Sequence, residues 1–136
     1  MKKKICLILA IVFVMMLVQS IVYASEISLY NNNTLRTDTV FLISSDGVAT
    51  VYTEYVGYSD ITTGAEIAIT IEKRNLLFFW SDVVSETITV NGYRYSNEFA
   101  YQLEDTGTYR CTVVYTVSGT GGADDVLTFE DTKTYG

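Results

Sequence analysis

The chain has 136 residues, of which 16 are acidic, nine are basic and none is histidine, so its net charge is −7 at pH 7. The absence of histidine excludes Ser-His-Asp and Cys-His catalysis and zinc sites with histidine ligands. The glycine-rich run at 119–122 joins two predicted strands and precedes no helix, so it is not a phosphate-binding loop. We expect no cofactor, no bound metal and no catalytic residues.

Residues 1–24 predict a secretory signal peptide in the form of an N-terminal helix. Lysines at positions 2–4 precede an unbroken apolar run over 5–18, and Val22 and Ala24 place short side chains where signal peptidase reads them. We expect cleavage after Ala24 and a secreted or cell-surface-associated protein that meets the membrane only during export. The alternative is that residues 5–24 are retained as a membrane anchor.

Without the signal, the chain has six basic and 16 acidic residues, a net charge of −10. Nucleic acids and anionic membrane surfaces bind basic patches, so this charge argues against both as partners. Export permits disulfides, but Cys111 is then the only cysteine, and no internal bridge can form. Because Cys111 occupies an inward position of a predicted strand, we expect a buried, unreactive thiol.

The sequence after the signal divides into a leader and one domain. Residues 25–38 are polar and asparagine-rich, which predicts a mobile leader with a short edge strand near its end. Residues 39–136 predict a single all-β domain of about seven short antiparallel strands, bounded by turn signals such as Asn91-Gly92.

Two strands show the clearest alternation of apolar and polar residues. Over 65–74 the alternation turns Ile69 inward, and from 109 to 117 it turns Tyr109 and Cys111 inward. The sequence Asp-Thr-Gly-Thr-Tyr-Arg-Cys at 105–111 resembles the tyrosine corner that opens strand F of immunoglobulin-like domains. The resemblance implies an immunoglobulin-like β-sandwich, in which the Tyr109 hydroxyl bonds to backbone a few residues upstream.

The same resemblance implies the rest of the core. Residues 65–74 would be strand B, and Ile69 would pack against Cys111 where such domains carry a disulfide. Trp80, eleven residues after Ile69, would be the buried tryptophan of strand C. The alternative is an exposed Trp80 that binds a sugar or a protein partner. The layout of the chain also resembles small exported bacterial proteins of unknown function, which implies no activity.

Tyrosine is the remaining functional signal, since ten of the eleven tyrosines follow the signal peptide. We expect Tyr93, Tyr95 and Tyr101 to form a contact surface, because tyrosine offers large area at low entropy cost. The alternative is that tyrosine simply favours strands.

These observations predict a non-enzymatic binding or interaction module for an extracellular protein or glycan. It would use tyrosine-rich loops or an open edge strand. One alternative is a calcium-stabilised structural module that uses the acidic pairs at 104–105, 124–125 and 130–131. The other is a small glycoside-active enzyme with a carboxylate pair.

Overall fold

Seven β-strands make up the described part of the protein, residues 31–136 of a computed structural model. The strands are β1 (Thr34–Ile43), β2 (Val48–Gly57), β3 (Thr62–Arg74), β4 (Trp80–Asn91), β5 (Arg94–Gln102), β6 (Gly107–Gly119) and β7 (Asp125–Tyr135). They form two antiparallel sheets, one ordered β1-β2-β5 and the other β4-β3-β6-β7. The prediction of an all-β fold with seven antiparallel strands is confirmed. The predicted signal peptide lies outside the described residues.

The core lies between the two sheets and is built from their inward side chains. Along β2 and β6 burial alternates strictly, as a period of two requires when one face of each sheet is covered. The buried apolar residues are Phe41, Ala49, Val51 and Tyr55 from the first sheet, Ala65, Ile67, Ile69, Ile71, Tyr109, Cys111, Val113, Tyr115 and Val117 from the second, and Leu103 from a loop. Residues 31–136 therefore contain a core of their own. Within this range no helix is long and apolar enough to cross a bilayer.

One prediction about the core is wrong. Residues 65–74 lie in β3, which pairs directly with β6 in the same sheet, so Ile69 and Cys111 do not face each other across the sandwich. Ile69 pairs with Val113, and Cys111 pairs with Ile71. Alternation tells which face of a strand is buried, but it does not tell which sheet the strand joins. All four side chains are nonetheless fully buried.

The domain also begins earlier than predicted. Residues 34–38, which the sequence analysis assigns to a mobile leader, form the first half of β1 and pair with β2. The start of β1 is held by the carboxylate of Asp125, which accepts hydrogen bonds from the backbone N–H groups of Asn32 (2.8 Å), Asn33 (2.7 Å) and Thr34 (2.8 Å). This polar stretch is ordered by side-chain and backbone hydrogen bonds, which hydrophobic patterning does not detect.

The entry to β6 is fixed by Tyr109. Its ring is buried, and its hydroxyl donates a hydrogen bond to the backbone oxygen of Asp105, 2.6 Å away. The Nζ atom of Lys73 lies 5.9 Å from the centre of the same ring and 3.1 Å from the Asp105 carboxylate. Gly107, at the turn, has φ +150°, a conformation that other residues rarely adopt. These contacts hold the 103–107 loop against the end of β3.

Tyr115 joins the two sheets at the middle of the core. Its hydroxyl donates to the backbone oxygen of Asp38 (3.1 Å) and lies 2.6 Å from the hydroxyl of Thr39, both in β1. The phenol is thereby buried without an unpaired polar atom, as a core tyrosine requires.

Candidate functional site

The connection between β3 and β4 carries the largest exposed apolar side chains of the described residues. It contains Leu76, Leu77, Phe78 and Phe79, which are 98%, 74%, 72% and 66% exposed. We refer to these four residues as the apolar tip. Single exposed apolar residues are ordinary on protein surfaces, but four consecutive ones form a patch that typically marks a contact site.

The backbone of the tip is organised by Asn75. The Asn75 side-chain oxygen accepts hydrogen bonds from the N–H groups of Leu77 and Phe79, both at 3.0 Å. The Asn75 backbone oxygen accepts from the N–H of Phe78 at 3.0 Å, and its own N–H donates to the backbone oxygen of Phe79 at 2.8 Å. The loop is thus a closed turn whose hydrogen bonds, rather than packing of its apolar side chains, give it its shape.

Phe78 has a strained backbone. Its φ is +66°, and it is the only residue other than glycine with a positive φ among residues 31–136. A bulky aromatic residue is unfavourable in this left-handed region, and such strain concentrates at functional sites. The Phe78 side chain lies on the surface, where the Arg74 guanidinium is 4.6 Å from the centre of its ring.

Trp80 forms the base of the tip and lies outside the core. It pairs with Arg74 across the hairpin, is half-buried, and stacks with the Arg110 guanidinium at 4.5 Å. Arg110 is in turn paired with Glu72 at 2.7 Å. Arg110 points away from the core because its neighbours in β6, Tyr109 and Cys111, point inward.

The prediction that Trp80 is the buried core tryptophan is therefore wrong. Residues 75–79 make a hairpin within one sheet, whereas the prediction needs them to cross from one sheet to the other. Trp80 accordingly starts the edge strand β4, on the outer face, instead of a strand at the centre of the sandwich. The alternative of an accessible Trp80 agrees better with this position.

The three tyrosines expected to form a contact surface do not lie together. Tyr93 precedes β5 at one end of the sandwich and is 38% exposed, with the Arg94 guanidinium 5.4 Å from its ring. Tyr95 and Tyr101 are half-buried and pack against the core. They are separated by six residues of strand, about 20 Å. The tyrosine pattern thus reflects core packing for two of the three residues.

Tyr101 connects β5 and β4, which are edge strands of the two different sheets. Its hydroxyl donates to the Glu86 carboxylate at 2.5 Å, and burial together with this hydrogen bond raises the pKa of Tyr101. Beside it lies a groove of about 480 Å³, lined in part by Lys73, Val83 and Tyr109. Lys73, which lines the groove, stands at the end of β3 just before the tip, so the groove and the tip are adjacent.

The acidic residues do not assemble into an ion site. Within residues 31–136 no group of three or more aspartate, glutamate or cysteine side chains comes close enough to hold a metal. Asp125 is used by the backbone of β1, Asp105 pairs with Lys73, and Asp131 pairs with Lys133 at 2.9 Å. These carboxylates stabilise turns and strand ends.

Cys111 is a free, fully buried thiol. Burial, with a smaller contribution from the negative charge of Asp131, raises the pKa of Cys111 to about 12. At neutral pH the thiolate, which is the reactive form, is therefore scarce and shielded from reagents.

We expect no labelling of Cys111 when the native domain is mixed with an aromatic disulfide reagent at pH 8, and one equivalent of labelling in denaturant. The labelling is followed by the absorbance of the released thiolate. Rapid labelling of the native protein would contradict the buried position of the sulphur atom.

Comparisons of the chain with protein-family models, with curated proteins and with solved structures find no match.

Proposed function

We propose that this is a secreted, non-enzymatic interaction module with an immunoglobulin-like β-sandwich, and that its contact surface is the apolar tip. The observation that carries the proposal is the run of four exposed apolar side chains, Leu76 to Phe79, on a loop closed by its own hydrogen bonds. A soluble domain rarely exposes such a patch without a partner for it. The preformed turn also lowers the entropy cost of binding.

The immunoglobulin-like part of the proposal has two supports. The strand order supports it, because a three-stranded sheet β1-β2-β5 and a four-stranded sheet β4-β3-β6-β7 can be matched to strands A-B-E and C′-C-F-G of an immunoglobulin-like sandwich. The hydrogen bond from the Tyr109 hydroxyl to the backbone oxygen of Asp105 also supports it, because a tyrosine corner makes a bond of this kind at the start of strand F. On this proposal β3 corresponds to strand C, and β2 to strand B.

The non-enzymatic part is supported by the lack of histidine and by the use of carboxylates in structural contacts. Loops of a sandwich suit binding because the rigid sheets hold them in fixed positions. On this assignment the tip is the loop between strands C and C′, at the end opposite the B–C and F–G loops.

The test is a binding screen of the domain against extracellular proteins, glycans and lipid vesicles, repeated with two matched variants. The tip variant carries Leu76→Ser and Phe79→Ser. The control variant carries Leu35→Ser and Val126→Ser, two exposed apolar residues (58% and 66%) at the opposite end of the sandwich. We expect binding that the tip variant loses and the control variant keeps.

A third variant, Tyr93→Ala, tests the surface that the sequence analysis favours. We expect it to bind like the parent protein, because Tyr93 lies at the other end of the molecule from the tip. Binding that survives in the tip variant and is lost in Tyr93→Ala would contradict the proposal.

A further inference from the structure

We propose that the partner of the apolar tip is a lipid bilayer, into whose surface the tip inserts. This inference rests on the proposed function and adds the chemistry of the partner. The tip projects from the end of the β3–β4 hairpin, and its four side chains are consecutive and outward-facing. A bilayer is fluid and deforms around an apolar projection of this kind. A protein partner would need a pocket of complementary shape.

The order of side chains along the hairpin follows the polarity of a bilayer from its interior outward. Leucine and phenylalanine occupy the apex, Trp80 lies at the base, and the cation Arg74 is its partner across the hairpin. Tryptophan favours the boundary between hydrocarbon and headgroups, and arginine extends its aliphatic stem so that its charge meets phosphate. In the structure the Arg74 guanidinium lies 4.6 Å from the centre of the Phe78 ring, and on insertion its flexible side chain would turn back toward the phosphates.

The charge of the tip segment differs from that of the domain. After position 30 the sequence has 15 acidic and six basic residues, yet 73–81 has two basic residues and no acidic one. Lys73 pairs with the Asp105 carboxylate at 3.1 Å, so among the described residues the cation of this segment without a carboxylate partner is Arg74. Lipid phosphates attract it, while the acidic body keeps the rest of the domain off the surface.

The backbone of the tip is prepared for an apolar environment. A peptide N–H that enters hydrocarbon without a hydrogen-bond partner is costly. Four of the five N–H groups at 75–79, those of Asn75, Leu77, Phe78 and Phe79, already have acceptors within the loop, and only that of Leu76 lacks one among the described residues. The same closure leaves these groups unable to donate to a protein partner, which would recognise a loop by such directional bonds.

The tip lies at the opposite end of β3 from the start of the described chain. The backbone oxygen of Asn33 accepts a hydrogen bond from the Thr62 hydroxyl at the start of β3, whereas the tip follows the end of β3, thirteen residues and about 40 Å away. Membrane contact would then extend beyond export, to which the sequence analysis limits it.

Trp80 provides the test, since it is the only tryptophan of the chain. The domain from residue 25 onward, which contains the complete described core, is mixed with phosphatidylcholine vesicles. We expect the Trp80 emission to shift to the blue and to be quenched by lipids brominated on the acyl chains near the headgroup. In a vesicle-pelleting assay the tip variant should bind at least about ten-fold more weakly, since two large apolar side chains are removed. The control variant should bind like the parent.

Two results would overturn the inference. One is an unchanged Trp80 spectrum with no pelleting, and the other is equal pelleting of the parent and the tip variant. If vesicles do not bind but a protein or glycan binds in a tip-dependent manner, the lipid inference fails and the proposed function stands. If vesicles bind through another surface and no tip-dependent ligand is found, both fail.

Discussion

Replacement of Asp125 by alanine is expected to destabilise the domain by about 3–5 kcal/mol, because three backbone N–H groups lose a charged acceptor at a buried site. Asp125 is only 7% exposed, and its two oxygens accept from Asn32, Asn33 and Thr34 within 2.8 Å. The substitution would release the start of β1 from β7. Urea unfolding followed by circular dichroism measures the loss of free energy.

The neighbouring Asp124 is the matched control. Asp124 is exposed, and Asp124→Ala should change the free energy of unfolding by less than about 0.5 kcal/mol. Similar effects of the two substitutions would show that overall charge, and not the Asp125 hydrogen bonds, stabilises this end of the domain.

Acid should unfold the domain partly through Asp125. Burial alone would raise the pKa of Asp125, but hydrogen bonds from the backbone of Asn33, Asn32 and Thr34 outweigh burial, and the pKa is lowered. Since the unfolded chain takes up this proton near pH 4 and the folded chain takes it up only at lower pH, stability is present above about pH 4 and is lost as pH falls below it. In Asp125→Ala this part of the pH dependence should disappear. An acid profile identical to that of the parent would contradict the assignment.

Replacement of Ile69 by alanine should have the second large effect: we expect it to lower the free energy of unfolding by about 2–5 kcal/mol. Ile69 is fully buried between β4 and β6, and its removal leaves a cavity lined by core residues of both sheets. Urea unfolding again measures the loss. The useful comparison is Trp80→Ala, which removes a larger side chain from the half-buried outer face.

We expect Trp80→Ala to lower the free energy of unfolding by less than Ile69→Ala does, although tryptophan is the larger residue. Its main contact is the Arg110 guanidinium at the surface, and partly exposed stacking of this kind is worth about 0.5–1 kcal/mol. A greater loss from Trp80→Ala than from Ile69→Ala would place the tryptophan in the core, as the immunoglobulin resemblance implies.

Strand content was predictable from the sequence, because alternation is a local property. The inward positions of Ile69, Tyr109 and Cys111 follow from a period of two, and the structure buries all three. The pairing of β3 with β6 was not predictable in this way, since it depends on whether the 75–79 connection is a hairpin or a crossover. In the structure the connection is a hairpin whose turn is closed by hydrogen bonds of Asn75, and such bonds do not show in hydrophobic periodicity.

The candidate site was missed for a related reason. A run of five apolar residues ending in tryptophan is typical of a buried strand, and sequence patterns do not separate a buried run from an exposed one. The available signal was the Arg74-Asn75 pair, because asparagine commonly starts a turn by accepting hydrogen bonds from backbone two residues onward. Residues 32–34 of the leader were misjudged similarly, since their backbone is held by Asp125, which lies more than 90 residues away in sequence.

The most direct test of the account is the stability of the tip variant, Leu76→Ser with Phe79→Ser, measured by urea unfolding beside the parent. If the tip exists for contact and contributes nothing to the core, the free energy of unfolding should agree with that of the parent within about 0.5 kcal/mol. A loss of about 2 kcal/mol or more, as expected for a core substitution, would show that these side chains support the fold, and the tip could not then be a free contact surface.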